Sequence, residues 1–416
     1  MMATQFTLFF ITLLAFTTLA RLALARRHLA HIAAHRAAVP DVFSEKIQLG
    51  DHQKAADYTS AKTRLSMLSL QFDAVLLLAF TIGGGIEWVA TRCTDWFNSP
   101  LTQGVATLVV VLMLSSLLEV PFSLYRTFRI EARFGFNNMT LKLYLLDTLK
   151  SLLIGAVFGL PLLFGVIWLM AGMGQYWWLY VWGVWVTFNL LILFIYPTFI
   201  APLFNKFSPL EDESMKTRIE ALLSHCGFTS SGLFVMDGSK RSAHGNAYFS
   251  GFGKTKRIVF FDTLLQRLNI DEIEAVLAHE LGHFTNHHVM KRIAMSFVMS
   301  LGFLWLLSQL MQTTWFFHGL GINIEHPSTG IALTLFFMVM PTFTFFLSPI
   351  LSAYSRKHEF AADAYAARKT STTDLVNALV KLYQDNASTL TPDPLYSKFY
   401  DSHPPAAIRI AHLQSL

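Results

Sequence analysis

A histidine followed directly by a glutamate, with a second histidine four places on, is a grouping with a specific chemical use. This 416-residue chain carries it at His279-Glu280-Leu281-Gly282-His283. Residues four apart lie on one face of a helix, so His279 and His283 can grip a single ion. Zinc takes imidazole nitrogen at about 2.0–2.1 Å and, in catalytic sites, keeps one position for water. Glu280 sits one residue round the helix from His279, where it reaches that water without being a ligand. Zinc brings the water's pKa to about 7, and the carboxylate takes its proton as the water attacks a peptide carbonyl. Alone, the pattern also describes a polar helix face with two solvated histidines, so the surrounding sequence has to decide.

That sequence favours a helix. Residues 271–292 read DEIEAVLAHELGHFTNHHVMKR, acidic at the start and basic at the end as a helix dipole prefers, with Ile273, Val276 and Leu277 as an apolar stripe. A third ligand should be one more His, Asp or Glu. Residues 355–367, SRKHEFAADAYAA, are helical in composition and offer His358, Glu359 and Asp363. Glu359 and Asp363 share a helix face, so one can ligate while the other accepts the N–H of a ligand histidine. His358 points elsewhere and reads as a surface residue. His287 and His288 lack a following glutamate to act as base, and read as structural groups or as partners of the ligands.

The elements that must position these residues are mostly apolar. Hydrophobic residues make up 53% of the chain, with 37 Phe and 9 Trp, and charged residues only 14%, against about 25% in soluble proteins. A soluble fold of this size has too little interior for that surface, so lipid is the expected solvent for part of it. Seven apolar stretches are long enough to cross about 30 Å of hydrocarbon: 4–24, 66–89, 103–125, 148–170, 177–199, 293–312 and 330–350. Arg26, Arg27, Arg36, Arg126, Arg129, Arg133, Lys206, Arg356 and Lys357 follow the odd-numbered spans, whereas Arg92 is the sole Lys or Arg in the opposite loops. Basic residues favour the cytoplasm. The N-terminus is therefore expected outside and the polar segments 201–292 and 351–416 in the cytoplasm, where the sixth and seventh spans bring Glu359 back beside His279. The organisation expected is spans one to five in 1–200, a first catalytic part in 201–292, two spans in 293–350 and a second catalytic part in 351–416. Asp73, Glu87 and Glu119 fall within spans, where carboxylates face a polar cavity or sit near span ends. The net charge of +5 is modest and the basic residues flank apolar runs, which excludes a nucleic-acid face. Cys93 and Cys226 fall on opposite sides of the membrane and form no disulfide framework.

Several segments match a known family. HELGH, followed two spans later by SRKHEFAAD, resembles the Ste24 family of integral-membrane zinc metallopeptidases, the type I CAAX prenyl proteases. Similar to that family as well are PFSLYRTFRIEARFGFN at 121–137, PTFIAPLFNKFSPL at 197–210, SKRSAHGNAYFSGFGKTKRIVFFDTLL at 239–265, and Ser402-His403-Pro404-Pro405 with Arg409. The resemblance implies a predominantly α fold, with seven membrane helices ringing a water-filled chamber. It also implies a zincin-like catalytic domain with a small β-sheet on the cytoplasmic side.

By that resemblance His279, His283 and Glu359 hold one zinc ion, Glu280 is the base, and Asp363, with His288, supports the ligands. Asn246-Ala247-Tyr248 resembles the edge-strand segment that pairs with an extended substrate. His403 and Arg409 become candidates for contacting the substrate or the oxyanion. The implied activity is endoproteolysis of a peptide or protein, including removal of the C-terminal tripeptide from prenylated CAAX proteins, by a lipid-embedded monomer. Compactness and short outer loops suggest a bacterial inner membrane, or the endoplasmic reticulum in a eukaryote. A shorter membrane quality-control protease of the HtpX type shares the motif but has fewer spans. A transporter with a structural metal would close its site with four protein ligands.

Overall fold

The computed structural model describes residues 1–251 and 255–416. Among the described residues, seven helical segments are long and apolar enough to cross a membrane. The helices that build the ring and its far-end cap begin with α1 (Met2–His35), α2 (Leu49–Phe80), α3 (Gly85–Trp96), α4 (Pro100–Tyr125), α5 (Leu141–Gly172) and α6 (Trp177–Ile195). A soluble part then opens with α7 (Glu213–His225) and α8 (Ile270–Thr285). Spans α9 (His288–Leu310) and α10 (Thr329–Thr344) leave it and return, and α11 (Ser348–Lys369), α12 (Thr372–Asp385) and α13 (Ala406–Gln414) complete it. The spans pack as a closed ring in the order α1, α2, α4, α5, α6, α9, α10 and back to α1.

Helices of this kind outrun a bilayer. The 32 residues of α2 or α5 extend about 48 Å against about 30 Å of hydrocarbon. They touch their neighbours mainly near their ends. In α5 the buried residues are Val166, Ile167 and Met170, and in α9 they are His288 at one end and Leu307 and Ser308 at the other. Mid-span, α5 is exposed all round: Leu149, Leu152, Leu153 and Val157 on one side, Ser151 and Gly155 on the other. A membrane helix bare on every side has lipid outside and open space inside, so the ring encloses a chamber. Asp73 is exposed on the face of α2 opposite Leu68 and Val75, and Glu119 is exposed on neighbouring α4.

The end of the ring away from the soluble part is closed. Phe80, Ile86, Val89, Val105, Ile167, Phe316, Leu320 and Leu335 belong to one buried cluster there. The second span ends at Phe80, not at Val89 as expected, and Glu87 belongs to α3. The reason is the run Gly83-Gly84-Gly85, which the apolar pattern reads through. A Cβ on Gly83 or Gly85 would lie 2.6 or 2.9 Å from the Ala79 carbonyl, and Gly84 has φ +76°. Glu87 is no chamber residue: its carboxylate accepts the backbone N–H of Asn323 at 2.7 Å. Cys93, on α3, is buried in this cluster, while Cys226 packs on the core of the soluble part, and both are free.

At the other end the seventh span runs from Thr329 to Lys369 as 41 near-continuous helical residues, so the expected boundary at 350 falls inside a helix. A mixed four-stranded sheet, order β1-β2-β4-β3, is built from β1 (Phe207–Pro209), β2 (Thr229–Met236), β3 (Ala247–Ser250) and β4 (Thr255–Phe261). Leu233, Ile258 and Phe260 from the sheet share one core with Ile219, Ile273, Leu277, Leu281, Leu375 and Ile410 from the helices. Phe252, Gly253 and Lys254 of the 239–265 segment lie outside the described residues.

Candidate active site

Helix α8 is locally well specified. Asn269 caps it, accepting from the Glu272 N–H at 2.9 Å while the Glu272 carboxylate accepts from the Asn269 N–H at 2.8 Å. Glu272 is buried and offset by Lys381 at 2.7 Å. The helix turns its apolar stripe into the core and presents His279, Glu280 and His283 towards α11 and a cavity.

The contact that brings the third group in depends on Gly282, for which the sequence reading assigned no role. A Cβ there would lie 3.0 Å from the Ala362 Cα and 3.1 Å from the Tyr365 Cβ. With hydrogen at 282 and only a methyl at 362, α8 and α11 approach closely enough for Glu359 to straddle both histidines. Its Oε2 is 3.4 Å from His279 Nε2 and its Oε1 is 3.4 Å from His283 Nε2. The two Nε2 atoms are 3.3 Å apart.

These residues fit a metal ion. Bonds of about 2.0–2.1 Å in a tetrahedral site place neighbouring donors about 3.3–3.4 Å apart, which is the spacing of this trio. One donor atom from each residue lies within 4.8 Å of the others. Glu359 Oε2 is buried and makes no hydrogen bond to the protein, a costly state for a carboxylate oxygen unless a cation faces it.

Behind the trio, the other ring nitrogens are held. His279 Nδ1 lies 2.8 Å from Asp363 Oδ1, and Asp363 is itself gripped by both the Nε and a terminal nitrogen of Arg409. Burial opposes charge on His279, but hydrogen bonds to Asp363 and Glu359 outweigh it and raise its pKa above the ordinary value. A metal ion binding there has to displace a proton held more firmly than usual. His283 Nδ1 lies 3.0 Å from His288 Nδ1. His288 stacks face to face on His358, centroids 3.9 Å apart, and Tyr354 meets the far side of that ring. His358 is therefore part of the support and not the surface residue that its place on the helix suggested. The turn between α8 and α9 passes through His287 at φ 57°, a left-handed conformation that histidine tolerates better than most residues.

The remaining candidates line a cavity of about 350 Å³ with Glu280, Asn246, Ala247, Tyr383, His403 and Arg409 on its wall. Glu280 has no hydrogen-bond or ion-pair partner among the described residues, as a base in waiting requires. Strand β3, which holds Ala247 and Tyr248, is an edge of the sheet, paired on one side to β4 with Ala247 opposite Phe260. Asn246 precedes it, with its side-chain oxygen 2.8 Å from the Ala247 N–H. His403 Nε2 lies 3.5 Å from Glu359 Oε1. Arg409 lines the same cavity while its guanidinium grips buried Asp363.

Sequence comparison places these observations among known proteins. Residues 28–206 match the family described as CAAX prenyl protease N-terminal, five membrane helices, and residues 209–416 match peptidase family M48. The CAAX prenyl protease 1 homolog of Caenorhabditis elegans is 34% identical over 413 residues, covering 92% of each chain. CAAX prenyl protease 1 of Saccharomyces cerevisiae is 34% identical over 400 residues, covering 90% of this chain and 88% of that one. A homolog from Arabidopsis thaliana is 40% identical over 75% of this chain and 74% of its own. The solved structure of S. mikatae Ste24p superposes with a TM-score of 0.90 at 31% identity, covering 99% of both chains.

Proposed function

This chain belongs to peptidase family M48, in its membrane-embedded CAAX prenyl protease branch, and from that premise we propose that its metal is zinc and that it releases the C-terminal tripeptide of prenylated substrates. Its standing as a multi-pass membrane metalloprotease acting on peptide bonds follows from the family. The observation that carries the finer reading is the trio His279, His283 and Glu359, a two-nitrogen, one-oxygen set with tetrahedral spacing and an unpartnered base beside it.

When bound, zinc supplies Lewis acidity, drawing charge from the oxygens it touches and bringing a water's pKa near neutral. The chain's own residues do the rest. An extended substrate adds to the free edge of β3, so that backbone hydrogen bonds fix its register and the Asn246 amide adds another. Glu280, partnerless at the cavity wall, accepts the proton of the attacking water and returns it to the leaving amine. His403, with its Nε2 3.5 Å from Glu359 Oε1, is the candidate donor to the oxyanion. Asp363 and His288 hold the ligand rings in orientation.

The prenyl group has a place in this reading, because the open middle of the ring leaves room for a hydrocarbon chain. The basic residues that follow the odd-numbered spans lie at the peptidase end, which supports a cytoplasmic active site with the N-terminus outside. That membrane is a bacterial inner membrane or, in a eukaryote, the endoplasmic reticulum. The catalytic set comes from one chain, consistent with a monomer. Purified protein should carry about one zinc per chain. Matched prenylated and unprenylated peptides, with the cut located by mass spectrometry, test the substrate; equal cleavage of both would sink the prenyl preference. Glu280→Gln should keep the metal and lose about 10²–10⁴-fold in rate.

A further inference from the structure

A second cavity of about 420 Å³ adjoins the first and shares Tyr383, Ser388 and His403 with it. Its other walls come from α1 and α2, through His28, Thr59, Lys62, Thr63 and Ser66, and from the 389–405 segment. Apart from His403, none of these groups has a part in the chemistry above. His403 stands on the wall of both cavities, so a peptide lying on β3 and passing Glu280 can run on into this space.

Lys62 stands out on its wall. Its Nζ lies 3.9 Å over the ring of Tyr58, and among the described residues it has neither an ion pair nor a hydrogen bond. Glu131, held by the Tyr58 hydroxyl, acts on it electrostatically but closes no ion pair with it among the described residues, so the ammonium stays open to an anion that enters the cavity. Arg409, on the wall of the adjoining cavity, is already neutralised by Asp363. The acidic group on the same wall, Asp401, makes no ion pair with Lys62 among the described residues.

We infer that Lys62 receives the C-terminal carboxylate of the substrate, and that this second cavity holds the residues on the leaving side of the cut. The inference rests on the tripeptide-releasing function proposed above. Three extended residues reach about 10 Å, the scale of a cavity this size, so a carboxylate three residues past the cut arrives at its far wall. A chain that continued beyond would have to thread the cavity instead of ending in it. Lys62 thereby measures the distance from the cut to the chain end, as a specificity-determining residue that takes no part in the bond-breaking step.

The test compares one prenylated peptide as its free acid and as its C-terminal amide, cut by wild type, Lys62→Met and Lys62→Arg. Wild type should favour the acid at least tenfold in kcat/KM. Lys62→Met should cut the acid as slowly as wild type cuts the amide and leave the amide rate unchanged, while Lys62→Arg keeps most of the preference. Zinc content equal to wild type shows that the variants are folded. Equal cleavage of acid and amide by wild type would overturn the inference. So would a Lys62→Met variant that keeps the preference, or one that slows both peptides alike. The proposed function fails separately, if mass spectrometry finds no release of the tripeptide by wild type at all.

Discussion

The peptidase body and the middle of the helical ring are built on opposite plans. In the body, Leu281 is fully buried beside the metal trio, and the catalytic helix approaches its neighbour at a glycine. Mid-ring, Leu152 is 55% exposed and the helices part company. Close packing leaves side chains no freedom, so Glu359 and the two histidines keep tetrahedral spacing without relying on flexible loops. Loose packing would serve no soluble protein, yet lipid satisfies the outer faces, and the inner faces define a space that a substrate can enter. One region fixes the spacing of the trio and the other leaves an open space beside it.

The largest effect that would break this contrast lies under the metal. Asp363→Ala strips Arg409 of its partner in a buried site, which should cost about 3–5 kcal/mol. Chemical denaturation in detergent would measure it, and a loss below about 1 kcal/mol would mean that the body is not tightly closed there. Next, Leu281→Ala should cost about 2–5 kcal/mol, whereas Leu152→Ala in the ring should stay within about 0.5 kcal/mol. Similar losses at the two positions would show that the ring is packed after all. The smallest effect tests the support behind His283. His288→Phe keeps an aromatic ring against His358 but removes the nitrogen facing His283, so zinc affinity should fall about 10–100-fold with the melting temperature unchanged. A competitive chelator titration reads the affinity; an unchanged value would leave His288 with a packing role only.

The histidine pair and the glutamate beside it were legible because helical spacing alone puts His279, Glu280 and His283 together. Counting spans then put Glu359 on their side of the membrane, although the fourfold spacing of Glu359 and Asp363 left their roles exchangeable until their distances to His279 Nε2 and Nδ1 separated them. Gly282 did leave a signal, since a glycine inside a helix is unfavourable without a packing reason. Lys62 left none: whether a lysine has a partner depends on residues far along the chain. The break after Phe80 was hidden because three glycines within an apolar run barely change its pattern, while they change the backbone completely.

What the sequence determined by itself was local or cumulative: a helix period, a capping box, an ion-binding spacing, and enough apolar length to require a membrane seven times. These follow from neighbouring residues or from composition, and they need no knowledge of partners. Only the tertiary structure decided which groups far apart in the chain meet. It set Arg409 against Asp363, set His358 on His288, and left Lys62 facing an open cavity. Those outcomes depend on how closely helices approach and which faces they present, and helix approach is fixed by packing over the whole body.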